Sequence, residues 1–237
     1  MAILESLRRL DRRVHRIADV VTPAQRAAIL ARLEMLPATA LAPVDSPLGA
    51  IRQWGCMIGP TPLAPTGPDP RRYDEENNAL WSGLGALAAP LQAAVLDALQ
   101  SLTPSAVQIA PGRQIASARR MPEGDGAPRH IDRYPKTSAY AELREACVLD
   151  EQLVWYLMLR GSPDGGALRV YPGAHAPDEV PAEDARFDRY DAPEGTLLIH
   201  PAAQVWHAVE PPQGGERITL GGICAPLRDG SGWWTCA

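Results

Sequence analysis

The 24 prolines and 20 glycines of this chain are distributed unevenly, and their placement constrains the fold more than any other feature. After Pro104 they gather into turn clusters: Pro122-Glu123-Gly124-Asp125-Gly126, Ser162-Pro163-Asp164-Gly165-Gly166, Pro193-Glu194-Gly195 and Pro211-Pro212-Gln213-Gly214-Gly215. In each, proline presets one backbone angle and glycine supplies the positive φ that tight turns require. Between the clusters lie short segments with β-branched or aromatic residues, namely Gln114–Met121, Gln152–Leu159, Ala167–Tyr171, Thr196–His200, Val205–Glu210 and Arg217–Cys224. Short strands at this spacing predict an antiparallel sandwich or barrel. A helical insertion is expected from Ser138 to Val148.

The front of the chain obeys a different period. Thr22-Pro23-Ala24-Gln25 supplies an N-cap, a proline at the first helical position and a capping-box glutamine, and Ala27, Ile29, Leu30, Leu33 and Leu36 follow on roughly one face. Residues 37 to 72 read as loop with one short strand, Ala50–Trp54. A second helical stretch is predicted over Glu75–Leu102 with a break at Pro90. The expected class is therefore α+β, mainly β, in one domain: residues 1–104 as helical support and 105–227 as the β core.

A net charge of −5 argues against a nucleic-acid binder. No uninterrupted apolar run approaches the roughly 18 residues of a membrane span, and the charged start Met1-Ala2-Ile3-Leu4-Glu5-Ser6-Leu7-Arg8-Arg9 lacks a signal-like apolar stretch. A cytoplasmic protein is expected. Cys56, Cys147, Cys224 and Cys236 form no C-x-x-C pair and read as free thiols.

Chemistry enters with the five histidines. His15, among arginines, reads as a solvated residue of a polar helix, and His175 as a loop residue. His130 and Asp132 are different, because residues i and i+2 of an extended segment project to the same side and offer an imidazole and a carboxylate to one ion. H-x-D alone is common, and its bland reading is a surface ion pair. His207 adds a second imidazole, with Arg217 ten residues further on. Two His and one carboxylate on one face of an ion, with open positions opposite, form the ligand set of non-haem Fe(II) oxygenases.

The order of these pieces carries more than any one of them. Residues Ala118 to Asp132, with Pro122-Glu123-Gly124 and His130-Ile131-Asp132, followed by Gly165-Gly166-Ala167-Leu168-Arg169 and Pro193-Glu194-Gly195-Thr196-Leu197-Leu198-Ile199-His200-Pro201, resemble successive strands of iron(II)/2-oxoglutarate-dependent oxygenases. His207-Ala208-Val209-Glu210-Pro211 with Arg217-Ile218-Thr219 resembles their last two strands. The resemblance covers about residues 114 to 225 and is closest to the prolyl-hydroxylase-like branch. It implies a double-stranded β-helix (jelly roll), with His130, Asp132 and His207 as iron ligands and catalytic centre. It also implies Arg217 as partner of the distal 2-oxoglutarate carboxylate, with Thr219 and Tyr156 assisting. A planar guanidinium suits a carboxylate in a way that Lys does not.

The implied cofactors are Fe(II), with 2-oxoglutarate and O2 as co-substrates, and the implied reaction is oxidation of an unactivated C–H bond. Halogenating relatives carry Gly or Ala where Asp132 stands, which argues against halogenation. Repair dioxygenases place a second arginine six residues after the first, where this chain has Ile223. His200 departs from the family's usual aromatic residue and rivals His207, but only His207 has Val209, Pro211 and Arg217 at the family's distances. Substrate is expected to be a small molecule, a free amino acid or a biosynthetic metabolite, most simply hydroxylated; the alternatives are a prolyl-type protein or peptide hydroxylase, or an oxygenase of the same site giving desaturation or ring formation. Arg119, Arg120, Arg129, Arg133, Arg160 and Arg169 crowd the expected cavity. Of these, Arg119 and Arg133 are candidate substrate contacts, together with Trp206; Trp155 and Tyr134 could wall an apolar pocket.

Overall fold

A computed structural model describes residues 2–37, 41–43, 51–57, 69–132, 141–172 and 179–237. Its centre is a ten-residue strand, Arg217–Pro226, in which every residue is buried. In chain order the strands are β1 (His15–Ile17), β2 (Leu41–Pro43), β3 (Arg52–Trp54), β4 (Ala106–Ile109), β5 (Ser117–Met121), β6 (Ala127–His130), β7 (Leu153–Arg160) and β8 (Asp164–Gly165). They continue with β9 (Leu168–Val170), β10 (Asp188–Tyr190), β11 (Leu197–His200), β12 (His207–Val209), β13 (Pro212–Gln213), β14 (Arg217–Pro226) and β15 (Gly232–Cys236). Nine of these form one sheet, ordered β1-β11-β7-β14-β5-β3-β2 with β15 and β4 continuing from β14. Four more form a facing sheet, β10-β9-β12-β6, and β13 pairs with β8.

The large sheet has two apolar faces, and the period of two assigns each residue to one of them. Leu153, Trp155, Leu157 and Leu159 of β7, and Ile218 and Leu220 of β14, turn toward the helices and join their core with Leu4, Leu7, Leu33, Leu84 and Leu99. Tyr156 and Met158 turn the other way, onto Leu168, Val170, Leu198 and Val205 between the sheets. This is the jelly roll braced by N-terminal helices that the sequence predicts. The N-terminal region also contributes strands: β1, β2 and β3 belong to the large sheet.

The helices form where their end signals lie. Helix α1 spans Ile3–Arg8. Helix α2, Pro23–Met35, opens with a complete capping box, Thr22 with Gln25, and buries Ile29, Leu30 and Leu33. Helix α3, Pro70–Leu84, is capped by Asp69, whose side chain accepts from the backbone N–H of Arg71 and Arg72. The break expected at Pro90 lies instead at Gly85 (φ +57°). Pro90 stands in the first turn of α4, Ala88–Gln100, where its missing N–H has no partner to lose. Taken together, Pro70–Gln100 is by length and composition alone apolar enough to cross a membrane, although polar residues such as Gln92 and Asp97 interrupt the run. Leu80, Trp81, Leu84, Leu91, Val95 and Leu99 of that run are nonetheless buried in the core against the sheet. Helix α5, Ala141–Ala146, lies within the insertion expected at Ser138–Val148, whose first three residues are outside the described part.

His15 is another correction, because it sits in strand β1, paired with Ile199 of β11, and not in a helix. The four cysteines are buried free thiols. Burial raises Cys56 to about 12 and Cys147 to about 11.

Candidate metal centre and cavity

Strands β6 and β12 pair across the small sheet with His130 opposite His207. The next pair is Val209 with Ala127, so β6 carries one extra residue between the two pairs, a bulge that contains Pro128. A proline is tolerated there because it has no N–H to give to a ladder. The Pro128 carbonyl takes the Nδ1–H of His130 at 2.6 Å. His207 does the same with the carbonyl two residues before it, its Nδ1–H donating to Val205 at 3.1 Å. With both Nδ1 atoms donating, each ring is left with a bare Nε2 lone pair.

These two lone pairs meet Asp132. His130 Nε2 lies 3.7 Å from Asp132 Oδ1, and His207 Nε2 lies 3.8 Å from Asp132 Oδ2. One ligand atom from each of the three residues falls within a 4.8 Å spread, and the two imidazole centroids are 4.1 Å apart. Asp132 follows the end of β6 and is tied there by its backbone N–H to the Ala202 carbonyl, while Gln152 donates its side-chain amide to the Asp132 carbonyl. The intervening Ile131 packs outward against Tyr171, Trp206 and Ala208. Burial pushes His207 down to about 4, with His130 acting in the same direction and Asp132 against it. It is therefore neutral near pH 7. Two imidazoles that turn Nε2 to the cluster and a carboxylate fit a divalent first-row ion with positions left open.

The trio lines a cavity of about 70 Å³ whose wall includes Tyr156, His200, Arg217, Thr219, Arg119 and Met121. The alternation of β14 explains its share of this wall, since Arg217, Thr219 and Gly221 face inward while Ile218 and Leu220 enter the helical core. Gly221 and Gly222 are needed for close approach. A Cβ on Gly221 would stand 2.9 Å from the Trp155 carbonyl oxygen, and one on Gly222 would stand 2.5 Å from that of Cys236.

Arg217 is 6% exposed and lies over the Tyr156 ring at 4.6 Å. Among the described residues, neither its Nε nor its Nη2 meets a hydrogen-bond partner, nor does the Tyr156 hydroxyl. A buried guanidinium with unmet donors is costly unless an anion completes it. Burial raises the Tyr156 hydroxyl above its ordinary range, with Arg217 pulling the other way. The phenol stays a neutral donor. The same guanidinium also lines an outer groove of about 420 Å³ beside Ser162, Gly166, Asp191 and Glu194.

The remaining candidates divide. Arg119 lines the cavity, its Nη2 against the Met57 sulfur. Trp206 does not line it. Being one residue before His207 it faces the opposite side and packs with Tyr171 and Ala208. Arg120 and Arg160 are ion-paired with Glu216, and Arg169 with Glu210. Trp155 is among the residues that line the cavity, while its ring packs in the helical core and donates the indole N–H to Thr235. Arg133, Tyr134 and His175 lie outside the described residues. The two histidine–carbonyl bonds were not foreseen, although the i−2 spacing is visible in the sequence; the signal for the first was a proline just before a metal-ligand pattern.

Fold and site together define a jelly roll whose inner wall holds a two-histidine, one-carboxylate cluster at one end and a buried arginine at the other. Solved structures with this fold include an N-substituted L-amino acid dioxygenase from Burkholderia ambifaria in complex with alpha-KG, at 11% identity over 99% of this chain and 90% of that one, TM-score 0.55. A Trichoplax adhaerens prolyl hydroxylase, in complex with a hypoxia inducible factor peptide fragment, matches at 15% identity over 94% and 87%, TM-score 0.53. A prolyl-4-hydroxylase from Pseudomonas putida matches at 16% over 99% and 97%, TM-score 0.50. At such identities the likeness establishes the fold. No family model matches the sequence, and no curated protein matches it either.

Proposed function

We propose that this chain is an Fe(II)- and 2-oxoglutarate-dependent dioxygenase that hydroxylates an unactivated C–H bond of a small molecule, a free amino acid or a biosynthetic metabolite. One observation carries the reading. A cluster of two imidazole Nε2 atoms and a carboxylate shares one cavity with a buried arginine whose Nε and Nη2 lack partners among the described residues. When bound, the iron and the 2-oxo acid would supply the oxidising chemistry, in which O2 and 2-oxoglutarate give succinate and CO2 while C–H becomes C–OH. The dioxygenase and hydroxylase named for the three similar structures agree with it.

The chain's own residues have binding and orienting work. His130, Asp132 and His207 would hold the metal, the two imidazoles fixed in the ligating tautomer by Pro128 and Val205. Arg217 would pair with the far carboxylate, with Tyr156 and Thr219 donating neutral hydrogen bonds beside it. Tyr156, Leu168 and Val209 give the cavity an apolar share of wall, and beside such groups the charge pair is stronger than in bulk solvent. Arg119 stands on the same wall and would meet the carboxylate of an amino-acid substrate.

The direct test is succinate formation with Fe(II), 2-oxoglutarate and O2 against panels of free amino acids and of proline-containing peptides. Substrate-dependent succinate with the free amino acids supports this reading. Response to the peptides alone would reassign the chain as a prolyl-type peptide hydroxylase, and no iron-dependent succinate with any substrate or without one would overturn the oxygenase reading.

A further inference from the structure

His200 ends β11 with only 2% of its surface exposed, yet it lines the cavity. Among the described residues, neither Nδ1 nor Nε2 makes a hydrogen bond of acceptable geometry, and the backbone of its cross-strand neighbour Val154 offsets this only in part. An imidazole carries at least one N–H in either protonation state, and leaving that donor buried without an acceptor is costly. A residue chosen only to fill space would be apolar. Phenylalanine has nearly the same shape and none of the cost.

The ring's position says what it would meet. It stands edge-on to His207, centroids 4.8 Å apart at 73°, and His207, His130 and Arg217 line the same cavity. A molecule that reaches both the ligand cluster and the arginine would lie in the cavity that His200 lines.

We propose that His200 is a binding residue that donates a hydrogen bond to an oxygen of the 2-oxo acid held between the His130–Asp132–His207 cluster and Arg217. The inference rests on the 2-oxoglutarate reading of the site and adds a recognition contact to it. His200 takes no part as a metal ligand; the cluster of convergent ligand atoms consists of the other three residues.

The test is anaerobic titration of 2-oxoglutarate into the Fe(II)-loaded protein, followed by the visible metal-to-ligand charge-transfer band and by calorimetry, for wild type, His200→Phe and His200→Gln. In His200→Phe the 2-oxoglutarate Kd should rise about tenfold, as for loss of a hydrogen bond to a charged or strongly polar oxygen, and the band should move. Fe(II) affinity should stay within about twofold of wild type. His200→Gln, which restores an N–H, should recover part of the affinity. An unchanged Kd and band in His200→Phe would overturn the proposal, and so would parallel loss of Fe(II), which would make His200 a packing support for His207. Absence of any charge-transfer band in the wild-type protein would instead overturn the oxygenase reading, before any variant is made.

Discussion

His130 and His207 are 77 residues apart in the chain and direct partners in one antiparallel ladder. Each donates its Nδ1–H to a carbonyl two residues earlier in its own segment. Ring orientation is thus set by each histidine's own local backbone, within β6 for His130 and in the turn just before β12 for His207.

Metal binding should follow from this. His130→Ala, Asp132→Ala and His207→Ala should each abolish turnover and weaken Fe(II) binding by at least roughly tenfold while the far-ultraviolet circular dichroism stays that of the wild type. Wild-type turnover in any of the three would remove that residue from the ligand set.

Arg217→Ala should raise the 2-oxoglutarate Kd by at least roughly thirtyfold, since truncating one member of a buried charge pair costs about 2–5 kcal/mol. Thr219→Val should cost about 1 kcal/mol, or about fivefold. Fe(II) affinity should change little in both. An unaltered anaerobic titration in Arg217→Ala would leave an iron site without an assigned co-substrate.

Acid should destabilise the metal-free protein through His207. Its folded value is near 4 against an ordinary 6.5, so between these pH values the unfolded chain binds the proton that the folded one refuses. Stability is full above pH 6.5 and falls by roughly 3 kcal/mol as pH drops toward 4. His200, also lowered by burial, acts with the same sign. Denaturant midpoints measured at pH 7.5 and 4.5 should differ more for wild type than for His207→Gln; equal differences would contradict this account.

The central strand makes a prediction about stability alone. A Cβ on Gly222 would stand 2.5 Å from the Cys236 oxygen and 2.6 Å from that of Ile115, both backbone atoms held by the sheet. Gly222→Ala should cost about 1–3 kcal/mol. Gly161→Ala, whose Cβ would meet only the Glu194 Cγ at 3.7 Å, should stay within about 0.5 kcal/mol. Thermal melts of the two variants decide the matter.

What could be read from the sequence was what is local or what repeats with a simple period. The Thr22–Gln25 box lies within one turn of helix, and the inward set Arg217, Thr219 follows from the period of two once β14 is recognised. His15–Ile17 was missed because three polar-flanked residues become a strand only by pairing with Leu197–Ile199, far along the chain. Parallel pairing of β15 with β4 was missed for the same reason. Pro90 misled because proline breaks a helix from inside but not from its first turn. Trp206 was placed in the pocket by residue type, whereas alternation from His207 already turns it away.

Among the described residues, Arg217 is the one that lines both the inner cavity and the outer groove. It is consequently a shared wall as well as a charge: its side chain borders both a space of about 70 Å³ and one of about 420 Å³. Shortening it does two things at once, deleting a cation and removing part of that shared wall. Arg217→Met separates the two, because methionine keeps most of the wall while losing the charge. The methionine variant should therefore bind 2-oxoglutarate weakly yet keep most of the wall in place, whereas the alanine variant should lose both the charge and that part of the wall shared with the groove.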